Sequence, residues 1–228
     1  MKSIKNQGRL LGLLFLASAA AGATGTSLRG LIEPSDTPKF LSNLVENAGQ
    51  MELAISLDLT ASAIAMGIAI FLFPLLTKYN RSLVAAYLTI AGISFVVVTV
   101  SNIIHVALLS MGRDFAEGGG LADHYATLSK MGYEAYYWTH FLMLMLYSIG
   151  GSILYYLLLK ARLIPKWLAI WGLLASIIVF FGGGLQMADI SVPFLLFVQN
   201  GVFMLVFILW LIGMGFRPNS SGQGPEPA

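Results

Sequence analysis

Six apolar stretches recur along the chain at the length a bilayer demands: Leu10 to Ser27, Leu59 to Leu76, Leu83 to Met111, Trp138 to Leu159, Trp167 to Leu185 and Val192 to Phe216. Each can cross the roughly 30 Å hydrocarbon core as a helix, in which every backbone N–H and C=O finds its partner within the segment. Strict two-residue alternation is missing, which disfavours a transmembrane barrel. The pattern predicts an all-α membrane protein, a bundle of six transmembrane helices filling residues 1–216, with no room for a second domain.

The segments between the spans refine this picture. After the first, Asp36 or Thr37 can cap a helix with Pro38 in its first turn, and Phe40, Leu41, Leu44, Val45 and Ala48 then recur at helical spacing. This predicts an interfacial amphipathic helix between the first and second spans. Arg113 to Tyr133 reads as the longest outer loop, flexible around Gly118, Gly119 and Gly120, with Tyr133, Tyr136, Tyr137 and Trp138 behind it as an aromatic belt. Residues 217–228 are polar and rich in Pro and Gly, the composition of a disordered tail.

The first span carries a second reading. Lys2, Lys5 and Arg9 precede an apolar run ending in Ala19 to Ala23, as in a cleavable signal peptide. Ala17, Ala21 and Gly25, spaced by four, instead suit close packing of a retained helix.

Composition agrees with a bilayer as solvent: 57% of the 228 residues are hydrophobic and 11% charged. The net charge of +2 is scattered without a basic stripe, so nucleic acid is not an expected partner. Cysteine is absent, which excludes thiolate nucleophiles and cysteine-ligated metal sites.

Orientation follows from where Lys and Arg fall. With odd-numbered spans running outward, Lys2, Lys5, Arg9, Lys78, Arg81, Lys160, Arg162, Lys166 and Arg217 lie inside, leaving Arg29, Lys39, Arg113 and Lys130 outside. That asymmetry satisfies the positive-inside rule and puts both termini in the cytoplasm. All the acidic residues of the spans and their connections, Asp58 among them, fall toward the outer side, and Glu226 alone falls inside.

Depth arithmetic then singles out candidate chemistry. Asp58 is separated from Lys78 by 19 residues, roughly 28 Å of helix, so it sits near the outer edge of the hydrocarbon. The same distance from the inner charges places His140 and Gln186 at that height, and Asn102, His105 and Asn200 fall within about a turn of it. One reading is an outward-facing polar pocket for a small ligand, lipid or ion, lined by Asp58, Asn102, His105, His140, Gln186 and Asn200. The plain alternative is that polar side chains gather wherever the membrane ends.

No cofactor is expected. A rival reading takes Asp58, His105 and His140 as ligands of a divalent metal such as zinc, in a membrane-embedded hydrolase. A third is a structural or accessory subunit in which these groups hydrogen-bond between helices. Asp123 and His124 beside Asp114 and Glu117 read as a solvated acidic loop, and Gly182, Gly183 and Gly184 as a site of close packing or a hinge.

Short motifs run in order along the chain: Arg9-Leu10-Leu11-Gly12-Leu13, Leu57-Asp58-Leu59, His140, Leu163-Ile164-Pro165-Lys166-Trp167-Leu168, and Leu209-Trp210-Leu211 with Gly215. In this the chain resembles a bacterial family of six-helix membrane proteins known as domain of unknown function 4386. The resemblance spans Arg9 to about Phe216 and implies the six-span fold and a bacterial cytoplasmic membrane, with no activity attached. Members of that family commonly carry a Glu about two turns before the tryptophan, where this chain has Met204.

Overall fold

The computed structural model describes residues 4–30, 37–118 and 122–217. Within them the chain forms seven helices: α1 (Ile4–Gly30), α2 (Thr37–Glu46), α3 (Ala48–Leu76), α4 (Arg81–Ala116), α5 (Ala122–Lys160), α6 (Lys166–Met187) and α7 (Leu195–Met214). All but α2 are long and apolar enough to cross a membrane. The protein is a multi-pass membrane protein, with no strand among the described residues. The tail expected beyond Arg217, the glycines at 119 and 120 and the capping residue Asp36 lie outside the described residues.

Each span packs against the next, and α7 returns to α1, so the six form a closed ring. The end of the ring that holds Lys78 and both ends of the described chain is densely filled. Leu72, Leu76, Leu157, Leu158, Phe203, Phe207, Leu211 and Phe216 are buried there in one cluster. Glycines let the helices close: a Cβ on Gly8 would overlap the backbone of Phe216, and one on Gly12 would meet Ile212 and Leu211 at 2.9 Å. Gly215 ends α7 at φ 68°, a left-handed conformation glycine adopts freely, and a Cβ there would collide with the Lys5 carbonyl. Arg9 Nη2 donates to Gly213 O at 3.2 Å, and Arg217 N–H to Leu163 O at 2.9 Å. These bonds tie α1, α7 and the α5–α6 turn together.

The amphipathic helix is present as α2, and its apolar face turns toward protein. Phe40, Leu41 and Leu44 are buried with Met51 and Ile55 of α3 and Leu108 and Leu109 of α4. Gly112 permits this approach, since a Cβ there would meet Val45 at 2.9 Å and Leu41 O at 3.1 Å.

Two sequence expectations change. Arg113 to Tyr133 is not a long loop: α4 continues to Ala116 and α5 begins at Ala122. The reason is packing, because Gly132 seats Leu108, Ser129 is fully buried, and Phe115 meets Tyr125 ring to ring at 5.3 Å. The expected stripe of Ala17, Ala21 and Gly25 holds at Gly25 and shifts elsewhere. Ala17 is exposed, and the residues of α1 that approach α3 are Ser18, Gly22 and Gly25. Gly182 and Gly183 stay helical and pack against Phe197 and Met145.

Candidate intramembrane binding site

The polar site begins with a missing side chain. Gly25 has no Cβ, and the space one would occupy lies 2.7 Å from Asp58 Oδ1 and 3.0 Å from Ala54 O. Helices α1 and α3 therefore approach closely, and Arg29, one turn beyond Gly25, comes level with Asp58. Arg29 Nη2 lies 2.7 Å from Asp58 Oδ2 and donates also to Asn102 Oδ1 at 3.0 Å. The amide of Asn102 is held in turn, its Nδ2 donating to Val98 O at 2.9 Å.

Both Arg29 and Asn102 are buried, at 4% and 3% exposure. An isolated charge at this depth is costly, and pairing with hydrogen-bonded neighbours is what makes it tolerable. Tyr136 of α5 adds its ring face, with Arg29 Cζ 5.3 Å from the centroid. His105 packs its ring edge-on against Tyr136 at 4.3 Å. Its Nδ1 lies 3.1 Å from Ser101 O, and because a carbonyl only accepts, Nδ1 carries the proton there. One atom of this cluster is left over: Arg29 Nε is buried without a hydrogen-bond partner.

Between the ion pair and the filled Lys78 end, the helices surround a cavity of about 620 Å³. Every span contributes to its wall, represented by Ala19, Ser62, Ser94, Ser148, Ser176 and Asn200. Its polar end is formed by Arg29, Asp58, Asn102, Tyr136 and His140, and it reaches toward Phe15, Ile68 and Tyr155. The volume falls in the range of about 300–1,000 Å³ typical of small-molecule pockets.

The sequence-derived candidates divide accordingly. Asp58, Asn102, His140 and Asn200 line the cavity. His105 stands behind Tyr136, outside the cavity wall. Gln186 is elsewhere, accepting from Val192 N–H and donating to the Tyr137 hydroxyl, both at 3.4 Å, where it stabilises the turn after α6. Among the described residues no three His, Asp or Glu side chains come together in a way that could hold a metal ion. In particular, Asp58 faces a guanidinium, which occupies the position a cation would need.

Arg29 and Tyr136 are the members the depth arithmetic passed over. The signal for Arg29 was present, since Leu10 to Leu28 is again 19 residues, the spacing that singled out Asp58. Counting Arg29 as an outer-loop cation hid it.

A closed six-span ring with a polar-ended cavity defines a helical integral membrane protein with an internal site. Residues 10–215 match the family described as domain of unknown function DUF4386, and the chain belongs to that family. Neither a curated protein nor a solved structure matches it.

Proposed function

We propose that this protein is a non-enzymatic membrane protein that binds a small ligand inside the six-helix ring, with the Arg29–Asp58 end as the polar anchor. The observation that carries the reading is the cavity itself: all six spans line it, and the buried Arg29–Asp58 ion pair stands at one end. Packed interiors leave few voids larger than a water molecule. A hollow of this size, bordered by serines, tyrosines and two amides, is suited to an occupant. The Lys and Arg asymmetry supports an orientation in a bacterial cytoplasmic membrane with both termini inside and the Arg29 end outward.

A catalytic role finds less support. Asp58 is engaged by Arg29, and Arg29 also holds Asn102. Among the described residues, the one carboxylate that lines the cavity is therefore already paired and not free to act as base.

The test is to extract the purified protein with organic solvent and analyse the extract by mass spectrometry, alongside a Ser148→Trp variant whose indole fills the cavity. One molecule at near-equal molar ratio in the wild type, missing from a normally folded variant, is the expected result. Identical extracts containing only bulk lipid would overturn the reading. Fusions after α3, α5 and α7 that report from outside the cytoplasm would overturn the orientation.

A further inference from the structure

One stripe of α1 behaves differently along its length. Gly8, Gly12, Phe15, Ala19, Gly22 and Thr26 follow the alternating four-and-three spacing that keeps residues on one face of a helix. The first three meet α7: Gly8 at Phe216, Gly12 at Leu211 and Ile212, and Phe15 edge-on to Phe207 at 5.5 Å. The last three line the cavity instead. On α7 the matching change occurs at Phe203. From there to the end the helix buries Phe203, Phe207, Ile208 and Leu211, whereas no residue from Leu195 to Val202 is buried. Helices α1 and α7 thus meet at the filled end and part beyond Phe15 and Phe207, leaving the exposed small residues Ala19 and Ala23 along the gap.

We propose that this gap is a lateral portal through which a single-chain amphiphile with an uncharged, hydrogen-bonding head passes from the bilayer into the cavity. The inference rests on the ligand-binding reading above and adds the ligand class and the route. Three observations carry it. The gap opens between two membrane-spanning helices, so it faces lipid. From Arg29 to Phe15 the cavity wall runs 14 residues of α1, roughly 21 Å. That accommodates the chain of one leaflet, about half of a 30 Å hydrocarbon core. At the polar end the charges of Arg29 and Asp58 cancel, and Asn102 and His140 line the cavity beside them, an environment that suits a neutral head with a hydroxyl or ester oxygen. A carboxylate or phosphate head would compete with Asp58 for the same guanidinium.

The experiment uses the full chain in liposomes with a monoacylglycerol bearing a photoreactive diazirine in its chain. Crosslinks are mapped by peptide mass spectrometry. Expected are labels on Ala19 to Thr26 of α1 and on Asn200 to Met204 of α7, competed by unlabelled monoacylglycerol and not by a fatty-acid anion. Because the chain lacks cysteine, Ala23→Cys can be modified alone with a bulky maleimide to obstruct the portal, and Val100→Cys on the lipid-facing side of α4 serves as control. The adduct at residue 23 should abolish cavity labelling, and the one at residue 100 should leave it intact.

Labels confined to outward residues such as Leu205 and Leu209, or unchanged by the residue 23 adduct, would overturn the portal. Preferential competition by the anion would overturn the uncharged head. A water-soluble molecule in the solvent extract, with no monoacylglycerol labelling, would sink this inference and leave the ligand-binding reading standing. Loss of both signals would remove both.

Discussion

The two ends of the helix ring use the same residue types to opposite effect. At the Lys78 end, glycines draw helices together until aromatic rings fill the centre. Gly172, for example, lies where a Cβ would meet Phe203 at 2.6 Å and Tyr155 at 2.7 Å. At the Arg29 end, Gly25 brings α1 and α3 together so that two charges meet, and Gly112 and Gly132 seat α2 and Leu108 at the rim, while Ala19 and Ala23 border the cavity. In a bilayer no hydrophobic force pulls helices together, so van der Waals packing and polar contacts must hold the ring. One half is filled to its centre, and the other keeps a hollow centre that is closed by an ion pair and, at the rim, by the cluster under α2.

The largest expected effect comes from breaking that ion pair. Asp58→Ala leaves Arg29 buried without its counter-charge and should destabilise the fold by about 3–5 kcal/mol. Replacing both partners, Arg29→Met with Asp58→Leu, should recover most of this, because the cost lies in the unpaired charge. Detergent-denaturation midpoints in SDS/mixed-micelle titrations check both. A double variant as unstable as the single one would mean that Arg29 is held mainly by Asn102 and Tyr136.

Next comes one substitution made at both ends. Gly172→Ala forces a methyl into Phe203 and Tyr155 and should cost about 1–3 kcal/mol through overpacking. Gly22→Ala places its methyl 3.6 Å from the Ala61 Cβ, ordinary contact distance, and should stabilise α1 by about 0.5–1 kcal/mol through helix propensity. Equal effects at the two sites would erase the contrast between filled and hollow halves.

How much of this could be read from sequence depends on the force involved. The six spans and α2 were legible because apolar length and 3.6-residue periodicity are local properties. Asp58, Asn102, His140 and Asn200 were legible as a layer because depth is a count of residues from a charge. Their partner Arg29 obeyed the same count but was assigned to a loop, since sequence position alone does not distinguish a snorkelling cation from a buried one. The extent of α4 and α5 past the expected boundaries was set by tertiary contacts, Gly132 against Leu108 and α2 against Gly112, which no single segment encodes. Gln186 shared the depth of the others and pointed to the α6–α7 turn, because depth fixes height and not direction.

The smallest effect concerns a second ion pair, which sharpens the comparison by sharing its chemistry. Arg113 Nη2 and Glu52 Oε1 are 2.9 Å apart, nearly the separation of Arg29 and Asp58, yet their side chains are 53% and 58% exposed. Water screens both charges, and ordering two long side chains offsets much of the attraction. Arg113→Ala should therefore shift stability by less than about 1 kcal/mol, and the shift should shrink as salt is raised. The loss at Asp58→Ala should persist in high salt, because ions do not reach a pair buried among helices. Titrating both variants at low and high ionic strength separates the two, and equal salt sensitivity would show that the Arg29 site is open to water.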